Sequence, residues 1–243
     1  MRPLTDTCPK PLLKVRGKSL MQWHLEALAG AGCPKVVVNT AWLGTQIEDE
    51  IHKEYATLGI PVHCSHEGKE FGKALETAGG IARALPLLCE SHGETPASDV
   101  FWVVAGDVFA PEFKFELKSV EKFKASAKLA HIWMVPNPVH NAKGDFGLKQ
   151  NASEALAQIL TDNNELPNYT YSTIGLYRKE LFEQRWSNIV YGNSEGVVAP
   201  LAPILRAAMR ENYVSAELYE GEWTDVGTPE RLALLNAFDH DVR

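Results

Sequence analysis

Val100-Phe-Trp-Val-Val-Ala105 is an unbroken run of β-branched, aromatic and apolar residues, the pattern of a strand covered on both faces in a parallel sheet. Gly106 lets the backbone turn at the strand's carboxyl end, and Asp107 then falls on the rim of the sheet, where open α/β sheets bind their ligands. A carboxylate in that place has two uses. It can ligate a hard cation such as Mg²⁺, which takes one or two carboxylates together with substrate phosphates, or it can cap the turn that follows. Position alone leaves both open. Gly79 and Gly80, at the start of an expected helix, would expose backbone N–H and C=O groups to a ligand, or would simply make a flexible helix entrance. His63, Cys64 and His66 have metal-ligating side chains, but no later Cys/His set completes them, so they read as surface residues at a strand end.

The elements that must position these residues follow from pattern. Ser19 is an N-cap, and Leu20, Trp23, Leu25, Leu28 and Ala31 supply the apolar stripe of a helix that Gly32 stops. Lys35–Asn39 reads as a short buried strand, 45–58 as a charged amphipathic helix closed by Gly59, and 60–64 as the next strand. Strand, helix and strand with short joints predict parallel βαβ units. Residues 1–13, with Pro3, Pro9 and Pro11, read as a loop, and 67–73 as a mobile loop. A helix is expected from Leu75 to about Leu88, another over 113–125 and a strand over 129–135. Beyond Asn137 strands follow one another without helices between them. A hairpin around 144–148 and 155–160 and a long alternating strand, Asn168–Arg178, predict an antiparallel extension over the sheet's binding edge. A helix over 199–212, a strand over 213–219, a turn over 221–228 and a last helix capped by Thr228 complete the chain.

The totals limit the function classes. The 243 residues suffice for one large α/β domain or two small ones. A formal net charge of −7 argues against a general nucleic-acid surface. Cys8, Cys33, Cys64 and Cys89 show no paired spacing, which points to a reducing, cytoplasmic setting. No stretch is apolar for long enough to span a bilayer and no signal peptide is evident, so no membrane partner is expected. Oligomeric state leaves no mark in the sequence.

Six short motifs carry a family resemblance: RPLT…PKPL from Arg2 to Leu12, ETAGGI from Glu76, AGDV from Ala105, GDFGL around Asp145, YSTIGLY from Tyr171 and WTDVGTPERL from Trp223. In this order the chain resembles the sugar-1-phosphate nucleotidyltransferases along its whole length. Its overall length, the Asn39-Thr-Ala-Trp-Leu-Gly segment and Lys143-Gly-Asp-Phe are most similar to the N-acetylmuramate-1-phosphate uridylyltransferases among them. The resemblance implies a Rossmann-like, GT-A-like fold with a mostly parallel central sheet, helices on both faces and an antiparallel extension over the sugar. It implies a single nucleotidyltransferase domain over 1–243, with a nucleotide-binding half at 1–135 and a sugar-binding half at 136–243. It also implies a reaction in which a sugar-1-phosphate oxygen attacks the α-phosphorus of a nucleoside triphosphate, UTP in this sub-family, and pyrophosphate leaves.

Such chemistry needs positioning and charge neutralisation more than covalent help. By the resemblance, Asp107 and Asp225 are the Mg²⁺ pair, and Lys10, held between Pro9 and Pro11, faces the phosphates. Glu76, Ala78, Gly79 and Gly80, with Asp107, bind the nucleotide, the glycines admitting close approach to the base edge. Asn39, Asp145, Gly147, Ser172, Thr173 and Gly175 fall to the sugar. Asp145 has the alternative of closing the hairpin turn, and Trp223 that of packing as core. A mannose- or heptose-1-phosphate guanylyltransferase could share the Glu76–Gly80 loop, and a non-catalytic nucleotide-sugar sensor would be the alternative from another class. In the family a buried strand, a glycine-rich loop and an arginine precede RPLT, whereas here RPLT follows Met1 directly. The expectation is that Met1 is an internal methionine of a longer enzyme.

Overall fold

A computed structural model of the chain describes residues 1–91, 97–151, 154–160 and 166–237. The chain divides into two compact units whose segments alternate along the sequence. One is built from 1–74, 105–115 and 221–243, the other from 75–104 and 116–220. The boundary expected at residue 135 is not where these units part, because late segments return to complete the unit begun by the first 74 residues.

The second unit is organised by a six-stranded sheet in the order Val100–Val104, Asn168–Arg178, Ala130–Val135, Val214–Leu218, Ala155–Ile159, Phe146–Gln150. Only Ala130–Val135 and Val214–Leu218 run parallel, and the other neighbours are antiparallel. The mostly parallel sheet expected from sequence is thus a mixed one. The reason is Asn168–Arg178, which inserts antiparallel between Val100–Val104 and Ala130–Val135 and also reaches Phe146 and Gly147. Its register against Ala130–Val135 shifts between Tyr171 and Gly175, where Thr173 takes φ 63°. Of Val100–Val104 only Val100 and Phe101 are fully buried, in keeping with a strand that pairs on one side among the described residues.

Two helices cover one face of this sheet. Glu76–Cys89 contributes Ala78, Ile81, Ala82 and Leu85, and Leu201–Arg210 contributes Ile204, Leu205, Ala208 and Met209. They pack with Ile132, Met134, Phe101 and Tyr177. Each such aliphatic or aromatic side chain contributes about 1.5–3 kcal/mol by leaving water.

In the first unit the Leu20–Gly30 helix is capped as its sequence requires, with the Gln22 N–H donating to Ser19 Oγ at 3.0 Å. Val36–Asn39 and Val62–Ser65 form a parallel pair around the Gly44–Glu50 helix, the expected βαβ unit. The expected single helix over 45–58 changes character midway, continuing as a π-helical turn, Ile51–Tyr55, and a 3-10 turn, Ala56–Leu58. That change lets both Ile51 and Tyr55 join Met21, Leu25 and Ile47 in one cluster, with Tyr55 Oη 2.8 Å from Ser19 Oγ. Val36–Asn39 is only half-buried, not the buried strand expected, since it too pairs on one side among the described residues.

Two segments read as loops are helical. Leu4–Thr7 is an α-helical turn and Lys10–Leu12 a 3-10 turn. Glu67–Phe71 is a short helix fixed against the Thr40–Trp42 turn: the Gly68 N–H donates to Thr40 O at 3.0 Å, and a Cβ at Gly68 would lie 2.3 Å from Ala41 O. The helix expected over 113–125 begins later, at Leu117. Among the described residues no helix is long and apolar enough to cross a membrane. The four cysteines are free thiols.

Candidate active site

Two residues of the first unit's middle segment meet two of its last. Val108–Phe109 and Thr224–Asp225 form an antiparallel ribbon with Asp225 opposite Val108 and Thr224 opposite Phe109. The Val226 N–H donates to Asp107 O at 2.7 Å. Asp107 and Asp225, far apart in sequence, therefore stand on adjacent backbones. Each carboxylate has a cationic partner. Lys10 Nζ lies 3.1 Å from Asp107 Oδ2, and Arg231 Nη1 lies 2.5 Å from Asp225 Oδ1 while also donating to the Asp225 carbonyl at 2.9 Å. Arg231 reaches back from the first turn of the last helix, whose Thr228 Oγ1 accepts from the Arg231 N–H. Gly227 gives it room, because a Cβ there would lie 2.6 Å from Arg231 Nη2. Gly106 similarly lies under Pro11, whose Cγ is 3.0 Å from where a Cβ would be.

The floor of this ribbon is held by His24. It is 6% exposed and its Nε2 lies 2.8 Å from Val108 O, so that nitrogen carries the proton and donates. Burial lowers its pKa to about 4, against the smaller opposing effects of the Val108 carbonyl and the Asp107 charge. Near neutral pH His24 is therefore an uncharged donor.

Lys10 also lines a cleft of about 440 Å³ with Arg2, Pro11, Asn39, Trp42 and Ile47. Trp42 is 64% exposed, yet its indole N–H is fixed by a 2.9 Å bond to Thr5 O, and Gln46 Nε2 donates to Thr7 O at 3.1 Å. Asn39, expected at the sugar, stands in this cleft on the exposed end of its strand.

The two carboxylates fit a divalent cation only in part. Among the described residues no group of three or more His, Cys, Asp or Glu could hold a metal ion. An all-oxygen pair suits a hard cation whose remaining ligands come from phosphates and water. Lys10 and Arg231 offset the two carboxylates, so that a divalent cation bound there would leave the cluster net positive. An arrangement of this kind can neutralise and orient a triphosphate.

In the second unit the Glu76–Gly80 segment opens its helix with Glu76 exposed and at φ 56°, a left-handed conformation. The backbone groups expected to face a base are otherwise engaged. The N–H groups of Ala78 and Gly79 both donate to Ala199 O, at 2.9 and 3.1 Å, and Gly79 O accepts from Asn193 Nδ2 at 3.0 Å. Ala78, Gly79 and Gly80 are buried. The small residue at 79 is required by Val197, whose carbonyl would lie 2.4 Å from a Cβ.

The residues expected at the sugar divide. Ser172 is fully buried, donating to Trp133 O at 2.7 Å and accepting from the Ile174 N–H at 3.1 Å. Gly175 is buried against the Tyr177 ring, and Gly147 is paired within the sheet. Asp145 closes its turn through both oxygens, Oδ1 accepting from Asn141 Nδ2 at 3.2 Å and Oδ2 from the Tyr171 N–H at 2.9 Å. Thr173, like Ser172, sits on the irregular stretch of the register shift, but unlike Ser172 it is partly exposed.

Sequence reasoning missed Arg231, His24 and Asn193. Arg231 had a usable signal, a cation in the first turn of a helix that starts just after Asp225. His24 and Asn193 had none, because other polar residues stand beside them (Gln22 and Glu26, Ser194 and Glu195) and residue type does not mark which one is buried.

The profile of a family described as "Nucleotidyl transferase" matches residues 1–242. Among curated proteins, the N-acetylmuramate alpha-1-phosphate uridylyltransferase of Neisseria meningitidis serogroup B is 43% identical over 237 residues, which is 96% of this chain and 90% of that one. The enzyme with the same description from Caulobacter vibrioides is 36% identical over 42% of each chain. A mannose-1-phosphate guanylyltransferase catalytic subunit beta from Drosophila melanogaster is 35% identical over 48% of this chain, which spans 28% of that protein. Among solved structures, a Bacillus anthracis protein described as a glucose-1-phosphate thymidylyltransferase superposes over the whole chain and 91% of its own, with a TM-score of 0.73 at 15% identity. HddC from Yersinia pseudotuberculosis, complexed with GMP-PN, superposes over 95% of this chain with a TM-score of 0.64 at the same identity. Both likenesses concern the fold.

Proposed function

Because this chain belongs to the nucleotidyl transferase family, we propose that it joins UTP and N-acetylmuramic acid 1-phosphate into a nucleotide sugar and pyrophosphate. The observation that carries this is the 43% identity with the Neisseria uridylyltransferase over 96% of the chain. In the reaction a phosphate oxygen of the sugar 1-phosphate bonds to the α-phosphorus of UTP. The bond from that phosphorus to the bridging oxygen breaks, and pyrophosphate leaves with the electron pair.

The first unit supplies the charge chemistry. Asp107 and Asp225 would hold a divalent cation, Mg²⁺ in this proposal, which when bound neutralises phosphate charge at the reacting centre. Lys10 then exchanges its Asp107 partner for a phosphate oxygen, and Arg231 keeps Asp225 oriented through its paired contacts. Glu76, at the exposed helix start of the second unit, is assigned to the base. Asp145, Thr173 and Asn39 are assigned to the sugar. A cytoplasmic setting, where nucleoside triphosphates are plentiful, belongs to the same proposal.

A guanylyltransferase is the second reading, favoured by the 35% identity with the Drosophila mannose-1-phosphate guanylyltransferase subunit over 48% of the chain. The deciding experiment is pyrophosphate release with UTP, GTP, CTP and ATP, each offered N-acetylmuramic acid 1-phosphate and mannose 1-phosphate. UTP with the muramic acid phosphate should give the highest kcat/KM. A higher value for GTP with mannose 1-phosphate would replace the uridylyl reading.

A further inference from the structure

Asn193 is buried at 1% exposure in a loop whose Val190, Tyr191, Val197 and Val198 are exposed. Its backbone closes the loop, with its N–H donating to Val190 O at 2.8 Å and its carbonyl accepting from the Gly196 N–H at 3.1 Å. Its side-chain amide is used on both ends. Nδ2 donates to Gly79 O at 3.0 Å and to Val197 O at 2.9 Å, and Oδ1 accepts from the Val197 N–H at 2.8 Å. The strand of backbone that Asn193 holds is the one laid along the Glu76–Gly80 segment. There the Ala199 N–H donates to Leu75 O at 3.0 Å, and Ala199 O receives the N–H groups of Ala78 and Gly79. Glu76 lies inside this clasp in its left-handed conformation, which a non-glycine residue keeps only where its surroundings impose it.

We propose that Asn193 is a positioning residue for nucleotide binding, locking Val197–Ala199 onto Leu75–Gly80 so that the Glu76 carboxylate is presented in one fixed orientation. This rests on the reading of Glu76–Gly80 as the nucleotide-contacting segment. The packing separates such a role from a general structural one. The body of the Glu76–Cys89 helix is anchored by Ile81, Ala82 and Leu85 in the core, whereas its first turn is tied down by the 193–199 loop. Loss of the Asn193 amide should therefore loosen the first turn and leave the helix in place.

The test is steady-state kinetics of the full chain with UTP and N-acetylmuramic acid 1-phosphate, alongside thermal melts, for Asn193→Ala, Asn193→Asp and Glu76→Ala. Asn193→Ala should raise the KM for UTP at least tenfold, about 1.4 kcal/mol, with kcat and the KM for the sugar phosphate within about twofold. Asn193→Asp should do the same or more, because a carboxylate cannot donate to the Gly79 and Val197 carbonyls. An unchanged KM for UTP in folded Asn193 variants, while Glu76→Ala raises it, overturns the positioning role alone. An unchanged KM for UTP in Glu76→Ala removes the reading of the helix start and the proposal with it. A fall in kcat at constant KM, or failure of both Asn193 variants to fold, assigns Asn193 to general stability and likewise overturns the proposal.

Discussion

His24 and His131 should make this protein acid-sensitive well above the pH at which its carboxylates protonate. Each is held near a pKa of about 4, mainly by burial, with His131 also affected by the Lys122 charge. His24 is in the first unit, bonded to Val108 O, and His131 in the second, with Nδ1 2.9 Å from Ser215 Oγ. A free histidine titrates near pH 6.5, so between about 4 and 6.5 the unfolded chain binds protons that the folded chain refuses. Stability from these groups is fully present above pH 6.5 and is lost as pH falls towards 4. For one such histidine the loss between pH 7.5 and pH 5 is about 2 kcal/mol, and for two independent ones about 4 kcal/mol. Net stabilities of domains are about 5–15 kcal/mol, so the effect should be plain. The assay is urea denaturation at both pH values, in chelator-treated buffer so that Asp107 beside His24 keeps a constant state. His24→Leu should cost about 0.5–1.5 kcal/mol at pH 7.5 through the lost Val108 hydrogen bond. It should also remove about 2 kcal/mol of the pH dependence. A His24→Leu protein with the wild-type difference between pH 7.5 and pH 5 would refute the reasoning.

The carboxylate pair and the tight approach at Gly68 make two further predictions. Asp107→Asn and Asp225→Asn should each lower kcat by about 100-fold or more at saturating Mg²⁺ while leaving the melting temperature within a few degrees; near-wild-type turnover in either would remove that residue from the cation site. Gly68→Ala drives a methyl into the Ala41 carbonyl and should destabilise by about 1–3 kcal/mol, read by chemical denaturation; a change below about 0.5 kcal/mol would show that the Thr40–Trp42 turn yields freely.

What was legible in the sequence was local. Asn168–Arg178 reads as a strand and is one with those same limits, alternating in burial up to Thr173 and continuously buried from Ile174 to Tyr177, and Ser19 caps its helix as its type and place suggest. The sheet's mixed direction was not legible, because strand order and polarity are set by partners distant in sequence. Val108–Phe109 and Thr224–Asp225 are too short to show a period, and each is a strand only because the other exists. For the site, the type and rim position of Asp107 left a cation ligand and a turn cap both open, and the structure places Lys10 beside it at 3.1 Å. Ser172 and Gly175 carried a motif whose residues the fold uses inside its own sheet. Burial of that sort has no signature in residue type.

The ribbon that carries Asp107 and Asp225 has a consequence for the order of events during synthesis. Its two strands are separated in the chain by the larger of the second unit's two segments, Glu116–Glu220. As the chain leaves the ribosome, the sheet of the second unit can pair while Val108–Phe109 still waits for Thr224–Asp225. The last segment also brings Glu222 and Asn236 to Arg16 and Lys14. The first unit, begun earliest, is thus finished latest. A nascent chain, or one cleaved before residue 221, has the segments of the second unit's sheet but not the strand that brings Asp225 beside Asp107, so the two carboxylates meet only once that late segment has been made.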